Sequence, residues 1–159
     1  MIPDLQRVLD VNYLAGISDA PPEELRAMRA ECADLENAVS YVRRLAQGRL
    51  DLLGAETQRR AEGGGGDLGD LVDRLPELLS GGLTAPGSGR ADQDLEPPAH
   101  LVDPLSEVLD GAVGPSVMTS LPDLGNDELT AALTTLTGVE DDLSTSRRSL
   151  HSTIDALND

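Results

Sequence analysis

The sequence predicts an all-α fold, an antiparallel two-helix coiled-coil hairpin with one or two short helices in the connection. Three observations carry this. Leu129, Leu136, Leu143, Leu150 and Leu157 recur every seven residues, the spacing of a coiled-coil seam. Leu25, Met28, Cys32, Leu35, Val39, Val42, Ala46, Leu50, Leu53 and Thr57 step by three or four residues, the pattern of a second long amphipathic helix. Finally, Tyr13 and Tyr41 are the only aromatics, with no Phe or Trp, so Leu, Val and Ala must supply a thin helical seam rather than a thick globular core.

Taken in order, residues 1–19 read as an N-terminal lead-in with apolar residues at Ile2, Leu5, Val8, Leu9, Tyr13 and Leu14. The first long helix occupies 20–62. Pro21 and Pro22 sit at its start, Glu23 and Glu24 suit its first turn, and the glycine run from Gly63 to Gly66 stops it. Residues 63–82 are read as a Gly linker and a weak helix on Leu68, Leu71, Leu75, Leu78 and Leu79, bent at Pro76. Residues 83–100, rich in Gly, Pro, Asp and Ser, read as a flexible linker that includes His100. Residues 101–125 hold a short helix on Leu101, Leu105, Val108 and Leu109, ended by Gly111, Gly114 and Pro115, and then a loop. The second long helix occupies 126–159, with Asn126 or Asp127 as its cap. Its companion seam of Ala132, Val139, Ser146 and Ile154 is weaker than the leucine row.

A repeat joins the two long helices. Glu36, Ser40, Arg43, Gln47 and Asp51 return 104 residues later as Glu140, Ser144, Arg147, His151 and Asp155, with His in place of Gln. The same offset maps Leu25 to Leu129, Leu35 to Val139, Val39 to Leu143 and Leu53 to Leu157. On a helix, the five polar residues of each copy fall within an arc of about 80° over roughly 22 Å. Each immediately follows a seam residue, so the stripe lies beside the seam. Two equivalent helices paired in parallel would put their stripes on opposite faces, whereas antiparallel pairing puts both on one face. The expected site is therefore twofold-symmetric, with Arg43 and Arg147 near its centre. There the two like charges would repel each other, and the weak seam residues Ala46 and Ser146 would let the helices pack loosely.

The chemistry follows from the residue types. Arginine offers a planar fork to phosphate oxygens or to guanine O6 and N7. Asp or Glu can accept from guanine N1–H and N2–H₂, and Ser and Gln add adaptable hydrogen bonds. The first motif segment, with two acids and three arginines, is locally positive on a chain of formal charge −17. A twofold-symmetric guanine nucleotide with two phosphates fits this arrangement better than a mononucleotide.

The pattern Glu-x3-Ser-x2-Arg-x3-Gln-x3-Asp, present twice on long helices, resembles that of the RsiG-type anti-sigma factors of spore-forming actinomycetes. The resemblance covers both long helices, about half the chain. It implies an antiparallel coiled coil that binds cyclic-di-GMP, more than one molecule of it, and then sequesters a WhiG-type sporulation sigma factor. Carried over residue by residue, the ligand-binding set is Glu36, Ser40, Arg43, Gln47 and Asp51 with Glu140, Ser144, Arg147, His151 and Asp155. Arg and Asp would read guanine, and the others would hold ribose, phosphate or neighbouring ligand groups.

Plainer readings apply to the rest. A polar stripe beside a coiled-coil seam is ordinarily a solvated flank, and one copy alone would be read so; two copies in one register, with Ser and Asp that a generic flank does not need, favour a site. Cys32 reads as a small buried hydrophobe and allows no internal disulfide, which fits a reducing cytoplasm. His151 reads as a substitute for Gln rather than a metal ligand, and Gly63–Gly66 lacks the Lys-Ser/Thr of a phosphate loop. No nucleophile–base pair or paired carboxylates stand out, so no catalysis is expected. The acidic charge argues against direct DNA binding and against anionic membranes, and no long apolar run or signal peptide is visible. The alternative function is a nucleotide-independent coiled-coil adaptor or scaffold that offers an acidic surface to a basic partner.

Overall fold

The computed structural model describes residues 2–63 and 97–158. The expected helix on Leu68–Leu79, its bend at Pro76 and most of the 83–100 linker lie outside the described residues. Among these residues the chain is helical without strands: α1 (Pro3–Val8), a 3₁₀ turn (Ile17–Asp19), α2 (Pro22–Ala61), α3 (Ala99–Ala112), α4 (Pro115–Thr119), a 3₁₀ turn (Leu121–Asp123) and α5 (Asn126–Asn158).

Helix α2 starts as its sequence demands. Pro22 takes a first-turn position, where its missing N–H costs nothing, and Glu23 and Glu24 face the positive end of the helix dipole. It ends after 40 residues at Gly63, whose φ of 86° lies in the left-handed region that glycine enters without steric cost.

The leucines of α5 at 129, 136, 143, 150 and 157 are all buried, as are Cys32, Leu35, Val39, Val42, Ala46 and Leu53 of α2. Burial of each such leucine stabilises the fold by about 1.5–3 kcal/mol. Cross-helix contacts give the direction: Arg29 pairs with Leu157, Glu36 with Arg147, Arg43 with Glu140 and Arg60 with Asn126. Partners fall on α5 as they rise on α2, so the two helices run antiparallel.

The seam departs from expectation at three places. Thr57 is exposed and its neighbour Glu56 is buried in its stead, 1% exposed. The reason is charge: Glu56 accepts from Arg59 at 2.7 and 2.8 Å and from Arg60 at 2.6 Å, and these bonds hold its carboxyl down at about 2. Ala46 and Ser146 do not loosen the seam: Ala46 is fully buried, and Ser146 is buried with its hydroxyl donated to the Asp142 carbonyl at 2.9 Å.

The described residues before α2 and between α2 and α5 pack against the long helices. Leu5 and Val8 of α1 are buried, and α1 packs on α5. Arg7 pairs with Glu31 of α2 and sits 5.8 Å from the Tyr13 ring centroid, and the Tyr13 hydroxyl donates to Glu31 at 3.1 Å. Burial, then the hydrogen bond with Cys32, pushes the Tyr13 hydroxyl up. His100, assigned to the linker, instead lies in the first turn of α3. Gly111 does not end that helix; it is inside it. The break comes at Gly114, where a Cβ would stand 2.9 Å from the Asp110 carbonyl oxygen. Nor do Asn126 or Asp127 cap α5. Gly125 precedes it, donating its N–H to Glu128 at 2.7 Å while its carbonyl accepts from Leu129 N–H. The Asn126 side chain accepts from Arg60 instead.

Candidate functional site

The two stripes lie on one face of the α2–α5 ribbon, and the short helices cover the other. Arg49, about half a turn around α2 from the stripe, donates to the Val113 carbonyl and to Asp110, both at 2.6 Å. It thus closes the carbonyl end of α3 against the back of α2. Leu5, Leu105 and Val108 meet Val139, Leu143 and Ser146 around a cleft of about 80 Å³ on that side. Small-molecule sites run to roughly 300–1,000 Å³, so this cleft is too small for one. Arg49 is one of the arginines that made the first motif segment positive, and it is spent on architecture.

On the open face the motif residues form two crossed clusters. In one, Glu140 of α5 accepts from Ser144 at 2.9 Å, from Gln47 at 3.0 Å and from Arg43 Nη1 at 3.2 Å. In the other, Glu36 of α2 accepts from Ser40 at 2.8 Å and from Arg147 Nε at 2.8 Å, with His151 Nε2 at 3.3 Å. Arg147 Nε also donates to Ser40 Oγ at 2.8 Å. Each cluster therefore takes Glu and Ser from one copy of the repeat, and Arg and Gln or His from the other. His151 holds the place in its cluster that Gln47 holds in its own, because Nε2 can reach a carboxylate as an amide nitrogen can.

This register moves the centre of the site. Glu36 faces Arg147 and Arg43 faces Glu140, so the midpoint falls at 39–40 on α2 and 143–144 on α5. Those positions are repeat equivalents, and the twofold axis passes beside Ser40 and Ser144. Arg43 and Arg147 do not meet at the centre, where the sequence placed them. They stand about 10 Å apart along the ribbon, the rise of seven residues, and so roughly 5 Å to either side of the axis. Each guanidinium faces a glutamate, so the expected like-charge repulsion is absent. Attraction between opposite charges selects this register over one that would bring the arginines together.

The two clusters differ in detail. Arg43 Nε is buried without a hydrogen-bond partner, an arrangement that costs about 1–3 kcal/mol unless another group meets it. Arg147 uses its Nε and is more exposed, 39% against 24% for Arg43. Asp51 and Asp155 are exposed one turn beyond Gln47 and His151, and among the described residues neither makes a hydrogen bond or ion pair. They extend each cluster outward with a free carboxylate.

One matched pair escaped the sequence reading. Arg44 and Arg148 stand at the same 104-residue offset, are exposed, and each folds back over its own helix. Arg44 Nε donates to the Ser40 carbonyl at 3.3 Å and Arg148 Nε to the Ser144 carbonyl at 3.2 Å. The repeated spacing was their signal.

No curated protein matches the chain. Residues 12–79 match the family model described as RsiG-like, a segment that contains the first motif and stops short of the second. The second copy is tied to the first by the 104-residue repeat and by the crossed clusters that the two build together. Over residues 12–79 the chain is thus similar to the RsiG-like family.

Proposed function

We propose that this protein is a non-enzymatic anti-sigma factor that binds cyclic-di-GMP on the open face of an antiparallel coiled-coil hairpin, and in the liganded state sequesters a WhiG-type sporulation sigma factor. The observation that carries the reading is the pair of crossed clusters about a twofold axis at Ser40 and Ser144, on the face that α1 and α3 leave uncovered. A cyclic dinucleotide of two identical halves matches that symmetry. Arginine forks would take guanine O6 and N7, while Asp51 and Asp155 accept from N1–H and N2–H₂. Ser40, Ser144, Gln47 and His151 supply the remaining hydrogen bonds, as do Glu36 and Glu140.

Because both helices contribute to each cluster, one bound ligand fixes both. A sigma factor that recognises the liganded face must, by linkage, tighten nucleotide binding by the same factor that the nucleotide tightens its own. The membrane plays no part in this reading, and no helix among the described residues is long and apolar enough to cross one. One observation favours the scaffold alternative: Arg43–Glu140 and Arg147–Glu36 already join the helices without a ligand.

Isothermal calorimetry with cyclic-di-GMP, cyclic-di-AMP and GMP decides between them, together with capture of a WhiG-type sigma factor with and without nucleotide. Binding of cyclic-di-GMP alone, and capture that requires it, is expected. Equal affinity for the adenine analogue removes the guanine reading. Full capture without nucleotide leaves a constitutive scaffold.

A further inference from the structure

The crossed clusters leave the ligand short of positive charge. Arg43 is paired with Glu140 and Arg147 with Glu36, so the four motif charges cancel, and Asp51 and Asp155 add two uncompensated carboxylates. A dianionic nucleotide approaching a chain of net charge −17 meets, in the motif alone, a surface that repels its phosphates. Arg44 and Arg148 change this balance. Both are exposed, neither forms an ion pair among the described residues, and they lie on the outer rim of the stripe, one to either side of the twofold axis and roughly 7 Å from it along the ribbon. Each guanidinium rests on the carbonyl of the central serine through Nε. That contact leaves the Nη atoms of Arg44 uncommitted, while Arg148 spends one on Thr145 Oγ at 3.1 Å.

Resting on the cyclic-di-GMP reading above, we propose that Arg44 and Arg148 are the residues that grip the two phosphates of the bound nucleotide, one from each side of the twofold axis. Arg43 and Arg147 are left to face the bases. The rise between the two rim positions is about 13 Å along the ribbon, nine residues, and side chains folding inward from both sides close over a ligand seated at the centre. The serine carbonyl acts as a parking place: a neutral acceptor holds the cation near its target and yields it to a phosphate, which forms the stronger charge-assisted bond. Their placement at the same offset as the motif makes the grip as symmetric as the ligand.

The test is calorimetry of cyclic-di-GMP binding to Arg44→Gln, Arg148→Gln and the double variant, each at low and high ionic strength, with thermal melting of each protein alone. Loss of one charge-assisted phosphate contact is expected to weaken binding at low salt by about tenfold. The double variant should lose most of the salt dependence shown by the parent, because the contacts that salt screens are gone. Melting temperatures should stay within a degree or two, since the side chains are exposed and unpaired. Arg44→Lys, which keeps the charge, should retain much of the salt dependence. If the parent binds and the double variant binds equally well with the same salt dependence, the rim arginines do not touch phosphate. Lower melting with unchanged affinity assigns them a structural role and overturns the proposal likewise. If the parent binds no cyclic-di-GMP at all, the functional reading itself fails.

Discussion

Glu56→Gln tests the clamp at the end of α2, through which Arg60 is held against the start of α5. The Glu56 carboxylate is buried and accepts three bonds from Arg59 and Arg60. Arg60 in turn donates to the Leu124 carbonyl at 2.7 Å, the Leu121 carbonyl at 3.2 Å and Asn126 at 2.9 Å, tying the end of α2 to the start of α5. With its carboxyl held at about 2, against roughly 4.3 for an unperturbed glutamate, Glu56 contributes on the order of 3 kcal/mol when ionised in both states. Its folded value is depressed, so the contribution is fully present above about pH 4.5 and is lost as pH falls toward 2. Gln keeps the shape and removes the charge. Urea denaturation followed by circular dichroism should therefore show the variant less stable by about 3 kcal/mol at pH 7, with the difference shrinking steadily between pH 4.5 and 2. A constant difference across that range, or none at pH 7, would refute the argument that arginine pairing holds this carboxylate in the seam.

Three further outcomes are expected. In competition assays cyclic-di-AMP should displace cyclic-di-GMP only weakly, because adenine lacks O6 and the N1–H donor and each lost base contact costs about 1–3 kcal/mol. His151→Gln should leave stability within about 0.5 kcal/mol by thermal melting, since the amide of Gln can reach Glu36 as His151 Nε2 does at 3.3 Å; a larger drop would mean that the imidazole does more than fill the Gln position. Cys32, fully buried and with its thiol pushed up by burial, should react with a thiol reagent only as the protein unfolds, and reaction at native rates independent of denaturant would contradict its place in the seam.

What the sequence determined by itself is what local period and repetition encode. The leucine row of α5 and the three-four stepping of α2 are properties of one helix at a time, so the long helices and most of their buried faces were legible without a partner. Duplication at a constant offset made the ten motif residues visible, and antiparallel geometry then put them on one face. Tertiary structure decided the rest, because it depends on pairing between residues about 100 positions apart. The twofold axis at Ser40 and Ser144, and the glutamate opposite each arginine, follow from a helix register that no local pattern contains. Thr57 satisfies the seam period better than Glu56 does, yet two arginines in the last turn of α2 make the carboxylate the residue that can be buried. Arg49 looked like part of a positive motif and serves instead as a clamp on α3, since only the folded chain brings the Val113 carbonyl within its reach. Periodicity names the residues that face a partner; the charges that meet there choose which partner, and at what register.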